Sequence, residues 1–204
     1  DVVAATPQAT LTLSDGKVIR LDTARTGKLN EANTIWKTDS DNLVLRQEAG
    51  AGQPEAFNTL VTPIGTRYQV TLADGSRVWL NAGSSLRFPS TFSGASRQVI
   101  LSGEGYFEIA KSKTKPFLVE SGNGMIRVLG TRFNSRNYPG ESESKTTLLE
   151  GQISFRAGQD SLLLRPGEQV SLTENGKISV GPVNTDQAVA WRKNLFWFQS
   201  ESFE

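Results

Sequence analysis

The stretch Tyr68–Asn81, YQVTLADGSRVWLN, contains the pattern that recurs along most of this chain. Its first residues alternate between apolar and polar, and this period of two is typical of a β-strand with one buried face. An Asp74-Gly75 pair then interrupts the alternation, which resumes in the second half of the stretch. Because glycine readily adopts the positive φ angle of a tight turn, we interpret the whole stretch as a β-hairpin.

The same alternation recurs along most of the chain, with turn signals at short intervals. Further alternating pairs are Val99 and Leu101, Ile126 and Val128, and Ile153 and Phe155. The turn signals are Asp15-Gly16, Asp74-Gly75, Ser102-Gly103, Gly122-Asn123-Gly124, Pro139-Gly140, Pro166-Gly167 and Asn175-Gly176. Only residues 186–194 have the pattern of a helix, with Thr185 or Asp186 as the N-cap. The sequence therefore predicts an all-β protein with one short helix near the C-terminus.

An internal repeat supports this interpretation. Residues 11–22 align with residues 70–81, and five of the twelve positions are identical. A looser third copy surrounds the Asn175-Gly176 pair. Repeated strand–turn–strand units predict hairpins that form either a twisted, β-solenoid-like stack or a two-sheet sandwich.

The composition excludes several classes of chemistry. The chain has no histidine and no cysteine, so Ser-His-Asp and Cys-His catalysis and metal sites built on those residues are excluded. We therefore predict a protein that is not an enzyme and that has no catalytic residue, cofactor or metal. The net charge of +1 lacks the basic excess of nucleic-acid-binding domains, so no nucleic acid partner is expected. No apolar run reaches the roughly 20 residues that span a bilayer.

Two carboxylates, Glu104 and Glu108, are the first candidates for chemistry. In an extended strand they share one face and lie about 13 Å apart, whereas glycosidases place two carboxylates within about 5–9.5 Å. We therefore interpret Glu104, Tyr106 and Glu108 as an exposed strand face. A partnership with a distant acid such as Glu150 stays open.

A basic group is the second candidate. Arg127, Arg132 and Arg136 are interleaved with Phe133 and Tyr138, a pattern that could hold an anion or single-stranded nucleic acid. The alternative is a solvated strand face whose charge is offset by nearby glutamates, and the neutral total charge favours it.

The chain divides by pattern into three segments. Residues 1–56 are predicted to be an N-terminal hairpin and a connecting segment, residues 57–184 the main β domain, and residues 185–204 a short helix and strand. In the connecting segment, polar residues are expected to interrupt any strand: Asn30, Asn33, Asp39, Asp41 and Asn42.

Aromatic residues concentrate in the last of these segments. They either cover an open end of the β core or contact a further domain or a partner. The residues predicted for such an interdomain or partner contact are Trp191, Phe196, Trp197 and Phe198. We expect the chain to stop at a domain boundary.

Five motifs in series resemble one known family. They are Thr62–Leu86, Leu101–Glu108, Val128–Asn134, Thr146–Gly151 and Leu164–Glu168. Their order and spacing are similar to those of the FecR-type domain in transmembrane anti-sigma factors of the Bacteroidetes type, so residues 57–184 resemble that domain. Gly105 stands where alanine is common, and Arg132 stands where histidine is common, so no metal is expected to depend on position 132.

The resemblance implies a regulatory function. Such proteins hold an extracytoplasmic-function sigma factor through a cytoplasmic segment and cross the inner membrane once. Their periplasmic part receives a signal from the N-terminal signalling domain of a TonB-dependent outer-membrane transporter. The resemblance therefore implies that this chain is the soluble, periplasmic sensor or relay part of such a protein, lacking the membrane helix and a C-terminal α/β domain. Trp197 and Phe198 would lie at the junction with that domain.

A carbohydrate-binding or adhesin-like β module is the alternative function. Trp79 or Trp36, close to polar Asn81, could stack on a sugar ring if exposed, although we expect both to pack inward. Loss of glycan binding in a Trp79→Ala variant would favour this alternative.

Overall fold

Two twisted β-sheets account for most of the computed structural model, which describes residues 8–30, 34–46 and 56–193. The strands are β1 (Thr10–Thr12), β2 (Val18–Arg20), β3 (Gly27–Lys28), β4 (Ile35–Asp39), β5 (Asn42–Leu45), β6 (Phe57–Val61), β7 (Tyr68–Thr71), β8 (Arg77–Leu80), β9 (Ser85–Pro89), β10 (Arg97–Glu108), β11 (Phe117–Ser121), β12 (Gly124–Val128), β13 (Arg132–Asn137), β14 (Glu143–Glu150), β15 (Ile153–Ala157), β16 (Asp160–Leu164), β17 (Glu168–Thr173) and β18 (Ile178–Pro182). A helix, α1 (Thr185–Ala188), and a 3-10 turn at Ala190–Lys193 follow.

The chain passes back and forth between the two sheets. Sheet A has the order β2-β1-β6-β9-β10-β11-β12-β15-β16. Sheet B has the order β3-β4-β5-β7-β8-β10-β13-β14-β17-β18. The pairs β10–β11 and β5–β7 are parallel, and the other pairs are antiparallel. The all-β prediction is confirmed, with repeated units that alternate between two layers.

The long strand β10 belongs to both sheets. Its first half pairs with β9 and β11 in sheet A, and its second half pairs with β8 and β13 in sheet B. The turn predicted at Ser102-Gly103 is wrong, because the strand runs continuously through both residues. Gly103 has φ +91°, and this left-handed conformation bends the strand from one layer into the other.

The core lies between the sheets and consists of the inward side chains of both. On β10, Val99 and Leu101 face the core from sheet A, and Phe107 faces it from sheet B. Phe107 stacks on its cross-strand partner Phe133 with ring centroids 4.8 Å apart. The period of two in the sequence therefore reflects burial against a facing sheet.

The repeat seen in the sequence is a repeat of turn geometry. In the first copy, Gly16 N–H donates to the Leu13 carbonyl, and Leu13 N–H donates to the Lys17 carbonyl. The same two hydrogen bonds form in the other copies, around Leu72 and Thr173. The glycines are Gly16, Gly75 and Gly176, with φ of +85°, +83° and +83°. The first hairpin (β1–β2) lies in sheet A, and the other two (β7–β8 and β17–β18) lie in sheet B.

The described residues between 27 and 45 form three strands, contrary to the expectation that polar residues would interrupt any strand there. Asp39 ends β4 and Asn42 begins β5, so the polar residues form the hairpin turn between two strands. β5 pairs with β7, and β1 pairs with β6. Long-range pairing with the main β domain stabilises these short strands, and local sequence does not show that pairing.

The short C-terminal helix is present, but it is shorter than residues 186–194 and begins one residue earlier. Its N-cap is Asn184, whose side-chain oxygen accepts a hydrogen bond from the backbone N–H of Asp186 at 3.0 Å. Across the part of the chain that the structure covers, neither helical segment has the length and apolar character needed to cross a membrane.

Candidate partner surface on sheet B

A row of uncharged polar and aromatic side chains crosses the outer face of sheet B. The strand register places each residue directly beside the next, from β5 to β17. The row is Asn42, Gln69, Trp79, Tyr106, Asn134, Thr147 and Gln169. Each member occupies an outward position of its strand, and together with its flanking rows it forms what we call the sheet B surface.

A charged row lies along one side of it. The register is Arg77, Glu108, Arg132 and Glu150, so cation and anion alternate across four strands. Arg77 is paired with Glu108, and Arg132 Nη1 lies 2.8 Å from Glu150 Oε2. Opposite charges directly across strands stabilise the pairing modestly and keep this edge hydrated.

Glu104 anchors the other side of the surface. Its carboxylate accepts hydrogen bonds from Asn81 Nδ2 at 2.8 Å and Asn134 Nδ2 at 2.9 Å. Arg136 Nη1 lies 3.8 Å away and is also paired with Glu141, whose hydrogen bond raises the pKa of the arginine. A buried carboxylate satisfied in this way is a structural anchor rather than a free acid.

The expectation that Glu104 and Tyr106 form an exposed face is wrong, since they are only 4% and 3% exposed. They do face away from the core, as the alternation predicts. Residues 185–192, however, fold back over this part of sheet B. Sequence periodicity predicts which face of the sheet a residue lies on. It does not predict whether another segment of the chain covers that face.

An aromatic and guanidinium stack holds the C-terminal segment in place. Arg192 lies over Tyr106 at 3.8 Å and over Trp79 at 4.4 Å from the ring centroids. Glu108 accompanies the stack, with an oxygen 4.0 Å from Arg192 Nη2. Burial raises the pKa of Tyr106, partly offset by the cationic Arg192, so the phenol stays neutral at physiological pH.

Trp191 is the one predicted contact residue that the structure describes. It is half-buried, and its indole N–H donates to Asn134 Oδ1 at 3.2 Å. Phe196, Trp197 and Phe198 lie outside the described residues. Sequence reasoning did not identify Arg192 or Asn134, although the outward positions of β8, β10 and β13 pointed to this face.

A groove of about 960 Å³ opens beside Trp191. Its walls are mainly amide, hydroxyl and charged side chains, including Glu104, Arg136, Lys145 and Gln187. Such a groove can take polar protein groups through hydrogen bonds. Among the described residues, no group of three or more acidic side chains is placed to hold a metal.

The other tryptophan candidate and the basic group are arranged differently from the predictions. Trp36 and Trp79 are half-buried and do not pack inward, and Arg46 covers the Trp36 ring at 4.4 Å from its centroid. With Trp79 beneath Arg192, neither ring is an open platform for a sugar. Arg127 lies on sheet A, so it is not grouped with the arginines of β13.

Comparison with known proteins identifies this architecture. The family model described as FecR protein matches residues 58–154. Residues 58–154, just under half of the chain, are therefore similar to the FecR family. This segment carries β8, β10 and β13, which build the centre of the sheet B surface.

Solved structures show the same arrangement beyond the FecR segment. Two crystal structures of a candidate anti-sigma factor from Parabacteroides distasonis ATCC 8503, at 2.50 Å and 1.65 Å resolution, are similar to this chain. The first is 28% identical with a TM-score of 0.68, and the match covers 70% of this chain and 68% of that one. The second is 29% identical with a TM-score of 0.67, and the match covers 69% and 67%. No curated protein matches the chain.

Proposed function

We propose that this FecR-domain chain is the periplasmic relay part of an anti-sigma factor. It receives a signal from a TonB-dependent outer-membrane transporter and passes it to an extracytoplasmic-function sigma factor. The observation that carries the proposal is the FecR match over residues 58–154, supported by similarity at 28% and 29% identity to a candidate anti-sigma factor. The sigma factor is bound by a cytoplasmic segment, joined to this chain by one helix through the inner membrane.

The chemistry of the sheet B surface supports a relay that works by contact. Its carboxylates are engaged: Glu104 by two asparagines and Glu108 by Arg77. What the surface offers is a half-buried tryptophan beside a polar groove, and tryptophans at the edge of grooves are frequent anchors of protein interfaces. We therefore assign Trp191, with Phe196, Trp197 and Phe198 after it in the chain, to contact with the transporter's signalling domain or with a following domain.

Location is tested by labelling the full-length protein in cells. An Asn175→Cys variant places a thiol in the exposed β17–β18 turn, and the parent protein is the control. We expect a membrane-impermeant maleimide to label the variant once the outer membrane is permeabilised, with the inner membrane intact. Labelling only after the inner membrane is broken would contradict a periplasmic location.

The partner is tested by measuring binding of the full periplasmic region to isolated signalling domains of TonB-dependent transporters from the source genome. We expect one domain to bind, and a Trp191→Ala variant to weaken that binding by at least about tenfold. Trp36→Ala is the matched control. Both tryptophans are half-buried with an arginine over the ring, Arg67 at 5.9 Å for Trp191 and Arg46 at 4.4 Å for Trp36, but Trp36 lies on β4. If no signalling domain binds, the transporter is not the partner.

A further inference from the structure

A second concave surface lies on the outer face of sheet A. The register of β12, β15 and β16 places Arg127, Ser154 and Leu163 side by side in outward positions. Leu129 follows β12, and residues 111–113 run beside it. Together they line a cleft of about 410 Å³, which we call the sheet A cleft.

Two exposed leucines give the cleft an apolar floor. Leu129 is 47% exposed and Leu163 is 63% exposed, and both line it. Single exposed leucines are ordinary, but two in one cleft present apolar surface that a partner side chain can cover.

The rim of the cleft is cationic and unpaired. Lys111, Lys113 and Arg127 are exposed and make no ion pair with any described residue. Among the residues that the structure describes, no acidic side chain lines the cleft. In sheet B, by contrast, Arg132 is paired with Glu150. The three cations are therefore available to carboxylates from outside the chain.

The backbone around the cleft is already held in place. Ser112 N–H donates to the carbonyl of Leu129 at 2.7 Å, and Thr131 Oγ1 donates to the carbonyl of Gln152 at 3.1 Å. Gly130 lets the 111–113 segment approach closely, since a Cβ there would lie 2.9 Å from the Cα of Lys111. A preformed site costs little conformational entropy on binding.

We propose that the sheet A cleft binds an acidic segment of a partner protein. One apolar side chain of that segment sits between Leu129 and Leu163, and its carboxylates face Lys111, Lys113 and Arg127. The charges steer the segment and set its register, while the buried apolar side chain slows its release. This site is independent of whether the partner of the sheet B surface is a transporter.

The test is fluorescence anisotropy with the full chain and a labelled peptide of six acidic residues around one central leucine. We expect Lys111→Glu, Lys113→Glu and Arg127→Glu together to weaken binding by about tenfold or more. The matched control reverses three exposed lysines elsewhere, Lys17, Lys28 and Lys177, and changes the net charge equally. Equal weakening by both triple variants would reduce the effect to total charge and overturn the proposal.

The apolar contact is tested separately. A peptide with serine in place of its leucine, and the Leu163→Ser variant with the original peptide, should each bind about tenfold more weakly. Circular dichroism checks that Leu163→Ser, a surface substitution, stays folded. No binding at millimolar peptide would overturn the proposal. So would binding to phosphatidylglycerol vesicles in place of the peptide, since it would assign the cleft to a membrane surface.

Discussion

Gly103 lies where β10 leaves sheet A and enters sheet B. Both its backbone conformation and its close contact with Ser84 require glycine at this position. Its φ of +91° is a left-handed conformation, and a Cβ there would lie 2.7 Å from the backbone Cα of Ser84. Backbone cannot move aside as a flexible side chain can. The glycine therefore permits both the bend and the close approach of the neighbouring chain.

Gly103→Ala should lower the free energy of unfolding by about 3 kcal/mol, from the left-handed strain and the contact with Ser84 together. Gly176→Ala is the matched control, because Gly176 has φ +83° with no atom near its missing Cβ. There the loss should be about 1–2 kcal/mol from conformation alone. Urea unfolding measures both, and equal losses would show that the close approach to Ser84 contributes nothing.

Tyr68 has a buried hydroxyl without a hydrogen-bond partner among the described residues. Tyr68→Phe should therefore raise the free energy of unfolding by about 1 kcal/mol. Burial, with Asp41 and Asp39 nearby, also raises the pKa of Tyr68, whereas the unfolded chain ionises near pH 10. As the pH rises above 10, Tyr68 ionises in the unfolded chain before it does in the folded protein, so the free energy of unfolding of the parent falls. In urea titrations, the difference in free energy of unfolding between Tyr68→Phe and the parent should therefore increase above pH 10. A difference that does not change with pH would contradict this.

At the scale of elements, the aspartate of the Asp-Gly turn makes different contacts in two hairpins. In the β1–β2 hairpin, Asp15 accepts a hydrogen bond from Lys17 N at 2.9 Å and is exposed. In the β7–β8 hairpin, Asp74 caps Ser76 in the same way and is also paired with buried Arg97 at 2.6 Å. Arg97 in turn donates to backbone carbonyls of the loop after β10.

Asp74→Ala should cost about 3 kcal/mol of unfolding free energy, because it leaves Arg97 buried without its anion. Asp15→Ala, the matched turn, should cost roughly 0.5 kcal/mol. A double variant with Arg97→Met should lose less than the sum of the single losses, since the two residues interact. Additive losses in thermal or urea unfolding would show that the ion pair is not coupled.

The sequence predicts these elements unevenly. The Asp-Gly pairs and the period of two in β7 and β8 are local signals, and both hairpins form as predicted. Strands β3 to β5 lack such a local signal. They are stabilised by long-range pairing of β5 with β7, which the local sequence does not show. Lys37 illustrates the limit: its ammonium group is buried, donating to the carbonyls of Leu21 and Ala24, at a position where alternation favours an apolar residue.

At the scale of the whole molecule, the FecR segment is only part of the folded unit. Residues 58–154 omit β1 to β5 and β16 to β18 and end inside β15. The omission leaves β6 without β1, β7 without β5, and β14 without β17. It also uncovers the inward side chains of both sheets on two sides.

An isolated 58–154 segment should therefore fail to unfold cooperatively, while residues 8–193 should give one sigmoidal transition. The physical reason is that the segment exposes core side chains and open strand edges, which costs apolar burial and favours aggregation. Urea unfolding followed by far-UV circular dichroism compares the two. A cooperative transition of the short segment at the same midpoint would show that the flanking strands are dispensable.

Composition and local sequence pattern predicted the all-β class, most turn positions, the absence of histidine and cysteine chemistry, and the resemblance of residues 57–184 to a FecR-type domain. These properties follow from composition, from the period of two and from the small set of residues that accept positive φ angles. Tertiary structure alone decided that β10 bends at Gly103 to join two sheets. It also decided that Glu104 and Tyr106 are buried beneath Trp191 and Arg192, and that Leu129 and Leu163 share one cleft. Those outcomes depend on contacts between residues far apart in the chain, which local patterns do not encode.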